Sequence, residues 1–154
     1  MPASRKSTPH RKTAVPAEAA RKKAALKTPT AARALDALAR KIVRVTVDPS
    51  KFVIPELYAQ DCESLEATGD VSHGHEGIQK KFEHYEQMQK GSRWKVRNVF
   101  VRKSVICIEW DADITLKDGR TVKMPEVAVH EINGGKIARE RFYYNPMVLM
   151  PPRT

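Results

Sequence analysis

Apolar residues return at helical spacing from about residue 32. Leu35, Leu38, Ile42 and Val45 form one stripe of "ALDALARKIVRV" and predict a first helix. "DPSKF" follows, an aspartate cap before a proline, and predicts a second helical piece running to about Ala59, with Pro55 moving its start towards Ile54. "CESLEAT" reads as a short extended stretch and "GDVSHGHEG" as a loop. In "EGIQKKFEHYEQMQK", Ile78, Phe82, Tyr85 and Gln89 share one face of a third helix, which Gly91 ends. From Arg93 the period changes to two, and "RWKVRNVFVR", "SVICIEWDADITLK", "TVKMPEVAVHEI" and "KIARERFYYN" are four strands. Asp118-Gly119 and Asn133-Gly134-Gly135 are their hairpin turns. Pro125 lacks an N–H for the ladder, so an edge or a bulge is expected there. Helices followed by a meander predict the α+β class: one antiparallel sheet, curled around three N-terminal helices that plug one end of a cone-shaped pocket.

Alternation also groups side chains by face. Glu126, Ala128, His130 and Ile132 share one face of their strand, and Ala138, Glu140, Phe142 and Tyr144 one face of the next. The opposite faces hold Val127, Val129 and Glu131, and Ile137, Arg139, Arg141 and Tyr143. Parity fixes this division but does not say which side is inside.

Charge divides the 154-residue chain unevenly. Residues 1–33 hold nine Lys or Arg and one acid, a balance of +8, and the remaining 121 residues hold 19 basic and 17 acidic groups, a balance of +2. The first 33 residues contain no aromatic side chain and four prolines, so they read as a disordered basic tail. Such a tail is a solubilising arm, a nonspecific contact for nucleic acid or another polyanion, or, less in keeping with its prolines, a transit peptide. The domain then spans 34–146, and 147–154 is a C-terminal extension lying along the sheet or across a dimer interface. Cys62 and Cys107 stand outside any CxxC pattern and read as reduced thiols. With no apolar run long enough to span a membrane and no apolar leader at the start, the expectation is a cytoplasmic protein without membrane contact.

Three stretches, "LYAQDCESLEATGD", "GHEGIQKKFEHYE" and "DITLKDGRTVKMPEVAVHEINGGKIARERFYYNP", in the order helix, helix, short strand, helix, meander, resemble the nuclear transport factor 2-like superfamily. That group includes ketosteroid isomerase, limonene epoxide hydrolase and the polyketide cyclases. Within it the chain is most similar to the SnoaL-like domain proteins. The resemblance implies a curled sheet around an apolar pocket and a homodimer formed through the sheet. It places the isomerase's catalytic base at Glu66 and its hydrogen-bond-donating carboxylic acid at Glu126. The isomerase's oxyanion-hole tyrosine falls near Lys41 or Ile42, where this chain has no tyrosine. The epoxide hydrolase's arginine between two aspartates is not recognisable either.

On that comparison the face carrying Glu126, His130, Glu140, Phe142 and Tyr144 is the inner one. Two carboxyls in an apolar cavity are desolvated and repel each other, which raises at least one pKa and allows one to act as base and the other as neutral donor. His130 would shuttle the proton, and Trp110, Phe142 and Tyr144, with Glu140, would hold an apolar or carbonyl-bearing ligand. The competing account puts Glu126 and Glu140 in surface ion pairs with Lys123, Arg139 or Arg141, and His130 and the tryptophans in the core. "HGHE" at 73–76 offers too few ligands for a metal, and no Walker, Rossmann or G-x-S-x-G pattern occurs, so no cofactor is expected. The function expected is binding of a small molecule, with isomerase or cyclase chemistry as its enzymatic form. The alternative is a non-catalytic binding or assembly module that uses the tail.

Overall fold

The computed structural model describes residues 29–151. Residues 1–28, most of the expected tail, lie outside them. Helix α1 (Pro29–Val47) begins three residues earlier than the apolar stripe alone predicts and buries Leu38, Ala39, Ile42 and Val45. A 3-10 turn (Pro49–Lys51) leads to α2, which is only Ile54–Leu57. The expected continuation to Ala59 is extended instead, because β1 (Tyr58–Leu65) starts at Tyr58, which pairs with Ile137. Strand β2 (Val71–His73) and helix α3 (Gly74–Met88) follow. Gly74 has φ +64, and a Cβ there would stand 3.1 Å from the Gln60 carbonyl oxygen, so glycine suits the sharp entry into α3.

The meander consists of β3 (Gln89–Arg102), β4 (Val105–Leu116), β5 (Thr121–Asn133) and β6 (Lys136–Tyr143). Strand β3 begins before Arg93, so Gln89 belongs to the strand and not to the helix face, and Gly91 does not cap α3. Gln89 and Gly91 pair with Leu116 and Thr115 across an irregularity in the ladder, where strand pairing overrides the local helix-stop signal. The turn at Asp118-Gly119 is a four-residue loop between Leu116 and Thr121, closed by Gly119 N–H donating to Leu116 O. The β5–β6 turn is the two-residue Gly134-Gly135, both at positive φ, which matches the twist of paired strands.

The six strands lie in the order β2-β1-β6-β5-β4-β3. Every neighbouring pair is antiparallel except β1 and β6, so the sheet is mixed where a purely antiparallel one was expected. The extra strands come from the segment between α2 and α3, which adds a hairpin to the free side of β6. Pro125 faces Asp111 of β4, and β6 pairs with β5 only from Val127 onward. The proline therefore sits where β5 has one neighbour, without a bulge against β4.

Strand β4 alternates without a fault, turning Ile106, Ile108, Trp110, Ala112, Ile114 and Leu116 inward. Each isoleucine so buried contributes roughly 1.5–3 kcal/mol relative to exposure. In β5 the inward residues are Met124, Glu126, Ala128, His130 and Ile132. Strand β6 breaks parity. Ile132 faces Ile137 while Glu131 faces Arg139, leaving Ala138 as the extra residue of a bulge. Ile137 and Glu140 are consequently both buried, and Ile137 does not share the outer face with Arg139, Arg141 and Tyr143. After β6 a 3-10 turn (Pro146–Leu149) packs Val148 and Leu149 against the cluster of Ala112, Ile114, Leu116 and Met124, so this part of the extension lies on the sheet.

Candidate active site

One cross-strand row sets up the buried chemistry. Register places Ser64 of β1, Glu140 of β6, His130 of β5 and Ile106 of β4 side by side on the inner face. Glu140 is fully buried and is the hub. It accepts hydrogen bonds from the Tyr58 hydroxyl (3.0 Å to Oε2) and from Ser64 Oγ (2.8 Å to Oε1). Lys81 of α3 reaches down to it at 3.0 Å, and His130 Nδ1 lies 3.1 Å from Oε2. Burial by itself would raise the Glu140 pKa. The Lys81 ammonium, His130 and the Ser64 hydroxyl outweigh it and hold the carboxyl at about 2, so it is ionised.

Lys81 is 6 % exposed at its side chain and also meets Glu66 Oε1 at 3.1 Å and Ser64 Oγ at 2.8 Å. Its ammonium lies over the Phe142 ring, with the nitrogen 4.3 Å from the centroid. Burial works against its charge, but Glu140 and Glu66 together raise its pKa above the ordinary lysine value. Glu66 Oε2 accepts from the Tyr144 hydroxyl at 3.1 Å, and that hydroxyl is 3.3 Å from the hydroxyl of Tyr85. Burial, and then the Glu66 charge, push the Tyr85 phenol up, while Tyr144 is pushed to about 12, chiefly by burial.

Two polar groups stand apart from this network. An ionised Glu140 can only accept, so His130 Nδ1–H donates to it, and in the neutral ring Nε2 then carries the lone pair. Nε2 is the one buried side-chain nitrogen or oxygen without a partner among the described residues. Glu126, paired across the ladder with Trp110, joins none of the hydrogen bonds above. Burial first, and then the neighbouring Glu66 charge, raise its pKa to about 8 against the opposing pull of Lys81, so it is mainly a neutral carboxylic acid at pH 7.

Glu140 and His130 of the row, with Glu66 and Glu126, open onto one cavity of about 280 Å³ between the sheet and α1, α2 and α3. Glu66, Glu126, His130, Trp110, Glu140, Phe142 and Tyr144 all line it. Trp110 meets Trp94 edge-to-face, with centroids 5.8 Å apart, and both serve core and cavity wall. The surface ion pairs weighed for Glu126 and Glu140 do not form; Arg139 instead pairs with Glu63, and Arg141 with Glu131. Ile42 reaches the cavity and Lys41 turns out to Glu56 at 2.6 Å, so the place of the isomerase's tyrosine supplies no hydroxyl, and the Thr46 hydroxyl of α1, whose residue also lines the cavity, donates to the Ile42 carbonyl oxygen at 3.0 Å. In the 73–76 segment, His75 Nε2 lies 3.1 Å from the Tyr58 carbonyl oxygen and Glu76 pairs with Lys80, each in a contact other than a metal shell.

Sequence reasoning missed Lys81, Tyr58, Ser64 and Tyr85 as members of this site. A signal existed for Lys81, which lies three residues after Ile78 and four before Tyr85, on the apolar face of α3. Ser64 shares the inward parity of Cys62. No local pattern links either of them to Glu140.

The profile of the SnoaL-like domain matches residues 31–140. The chain belongs to the SnoaL-like family. Solved structures agree. A protein of Mesorhizobium loti described as a candidate SnoaL-like polyketide cyclase is 27% identical, with a TM-score of 0.60 over 71% of this chain and 97% of its own. A Catenulispora acidiphila protein with a ketosteroid isomerase-like fold, solved with trimethylamine, is 18% identical, with a TM-score of 0.62 over 70% of this chain and 88% of its own. A candidate SnoaL-like polyketide cyclase from Jannaschia is 13% identical, with a TM-score of 0.62 over 75% of this chain and 94% of its own. No curated protein sequence matches the chain. Family membership accounts for the curled sheet packed on helices. The chemistry of this SnoaL-like protein has to be argued from its own side chains.

Proposed function

We propose that this SnoaL-like protein binds a small, apolar, carbonyl-bearing molecule and moves a proton next to the carbonyl, in an isomerase or cyclase reaction. The observation that carries the reading is that His130 Nε2 and the neutral Glu126 carboxyl, neither of them hydrogen-bonded among the described residues, share one cavity. His130 Nε2 takes the proton from carbon, and the C–H electron pair moves into the enolate. The Glu126 O–H donates a hydrogen bond to the oxygen on which negative charge develops. Glu140 holds the imidazole in orientation and stabilises the imidazolium, as the third member of a catalytic triad does. Returning the proton to a different carbon completes an isomerisation. In an aldol closure the enolate carbon attacks a second carbonyl and the imidazolium protonates the new alkoxide. Glu66, which the resemblance aligns with the isomerase's base, is occupied on both oxygens by Lys81 and Tyr144, and this favours His130 for the role.

The test uses β-tetralone, a bicyclic ketone with acidic C–H bonds, in deuterated buffer, with exchange followed by NMR. The expected result is exchange accelerated by the protein and reduced roughly 10²–10⁴-fold in His130→Gln, the usual span for a positioned acid or base. Exchange at the same rate in His130→Gln would overturn the assignment.

The charge partition supports a second reading. With a balance of +8, residues 1–33 would bind a nucleic acid or another polyanion without reading its sequence. The outer sheet face, where Phe100 and Tyr143 are exposed, is the surface through which the family resemblance would place a homodimer.

A further inference from the structure

The proton-transfer reading leaves unexplained why two carboxylates share one lysine. Among the described residues, four carboxyl side chains, Glu66, Glu86, Glu126 and Glu140, line the cavity, against the single ammonium of Lys81. That ammonium has three N–H bonds, and all three have acceptors: Glu140 at 3.0 Å, Glu66 at 3.1 Å and Ser64 at 2.8 Å. The Tyr58 hydroxyl and His130 Nδ1 are likewise committed to Glu140. With the His130 ring neutral, an entering anion would find no cationic donor free among the described residues that line the cavity, and it would face the lone pair on Nε2. One ammonium between two carboxylates, beside a neutral imidazole, also leaves one negative charge in excess.

We propose that Glu66 makes this cavity charge-selective, so that its ligand is an uncharged or cationic carbonyl compound and a carboxylate-bearing analogue is turned away. The proposal rests on the cavity being the ligand site, as argued above, but not on proton transfer. A ligand carboxylate ~6 Å from one uncompensated negative charge, at an effective dielectric of ~20, loses roughly a hundredfold in affinity. Replacing Glu66 with glutamine leaves Lys81 and Glu140 as a neutral pair and frees part of the ammonium for an incoming anion. Aromatic walls formed by Trp94, Trp110 and Phe142 suit the apolar body of either accepted ligand class, and indole faces favour a cation.

Three probes with one bicyclic skeleton test the idea by calorimetry on the full chain: β-tetralone, β-aminotetralin and tetralin-β-carboxylate. The expected result for the wild type is ammonium binding at least as tight as that of the ketone and carboxylate binding at least thirtyfold weaker than the ketone. In Glu66→Gln the gap between ketone and carboxylate closes by at least tenfold, through tighter carboxylate binding. Carboxylate binding as tight as the ketone in the wild type would overturn the proposal, as would failure of all three to bind, or an unchanged gap in a Glu66→Gln protein whose near-ultraviolet circular dichroism is native. The wild-type ratio decides the matter if the variant does not fold. Charge preference without deuterium exchange would leave this inference standing and remove the proton-transfer reading. Exchange without charge preference would do the reverse.

Discussion

Replacing Glu126 with glutamine should make the protein more stable, and increasingly so as pH rises. The folded-state pKa of Glu126 is about 8, against an ordinary value of 4.5. Below pH 4.5 the side chain is protonated in both folded and unfolded chains. Between 4.5 and 8 the unfolded chain has released the proton and the folded one still holds it, so stability falls as pH rises. The stability that protonation contributes is fully present below 4.5 and is gone above 8. Three and a half pH units at ~1.36 kcal/mol each amount to on the order of 5 kcal/mol. Glutamine keeps the shape and has no proton to lose. Urea unfolding of wild type and Glu126→Gln at pH 5, 6, 7 and 8 gives the difference directly, and terms common to both proteins, such as that of Glu140, cancel. The expected difference is small at pH 5 and grows by about 1.4 kcal/mol per unit towards pH 8. A difference independent of pH would refute the argument, because it would mean that Glu126 ionises in the folded chain as it does in the unfolded one.

Lys81→Met should destabilise the protein by about 3–5 kcal/mol in urea unfolding, because it strands the fully buried Glu140 without its countercharge. Adding Glu140→Gln to that variant should recover part of the loss, and two additive penalties would argue against direct coupling. On the acid side, the Glu140 pKa of about 2 lies below its ordinary 4.5, so its contribution is complete above 4.5 and is lost as pH falls towards 2. About 3 kcal/mol should disappear over that interval, and Glu140→Gln should flatten the same limb of a pH titration of stability. Association with heparin or duplex DNA should weaken steeply between 50 and 200 mM salt and vanish when residues 1–28 are removed. Salt-independent binding would remove the polyanion reading.

Much of the fold was legible because periodicity is a local property. The stripe of Leu38, Ile42 and Val45, the alternation of β4 and the glycine turn at 134–135 each follow from a few neighbouring residues and reappear in the structure. The sequence also separated Glu126 and His130 from Val127 and Val129, since two successive side chains of a strand cannot face the same way. Where local signals competed with pairing, pairing prevailed. Gly91 entered a strand, α2 stopped at Leu57, and the bulge at Ala138 turned Ile137 inward. The site's electrostatics depended on distance along the chain. Ser64 and Tyr58 reach Glu140 across 76 and 82 residues because β1 lies parallel to β6, and Lys81 reaches it across 59 because α3 packs over the same row. Sequence alone determined which residues were apolar, which shared a face and where the chain turned. Only the tertiary structure decided which carboxyl received the lysine and which stayed neutral, because desolvation and Coulomb energy depend on separation in space.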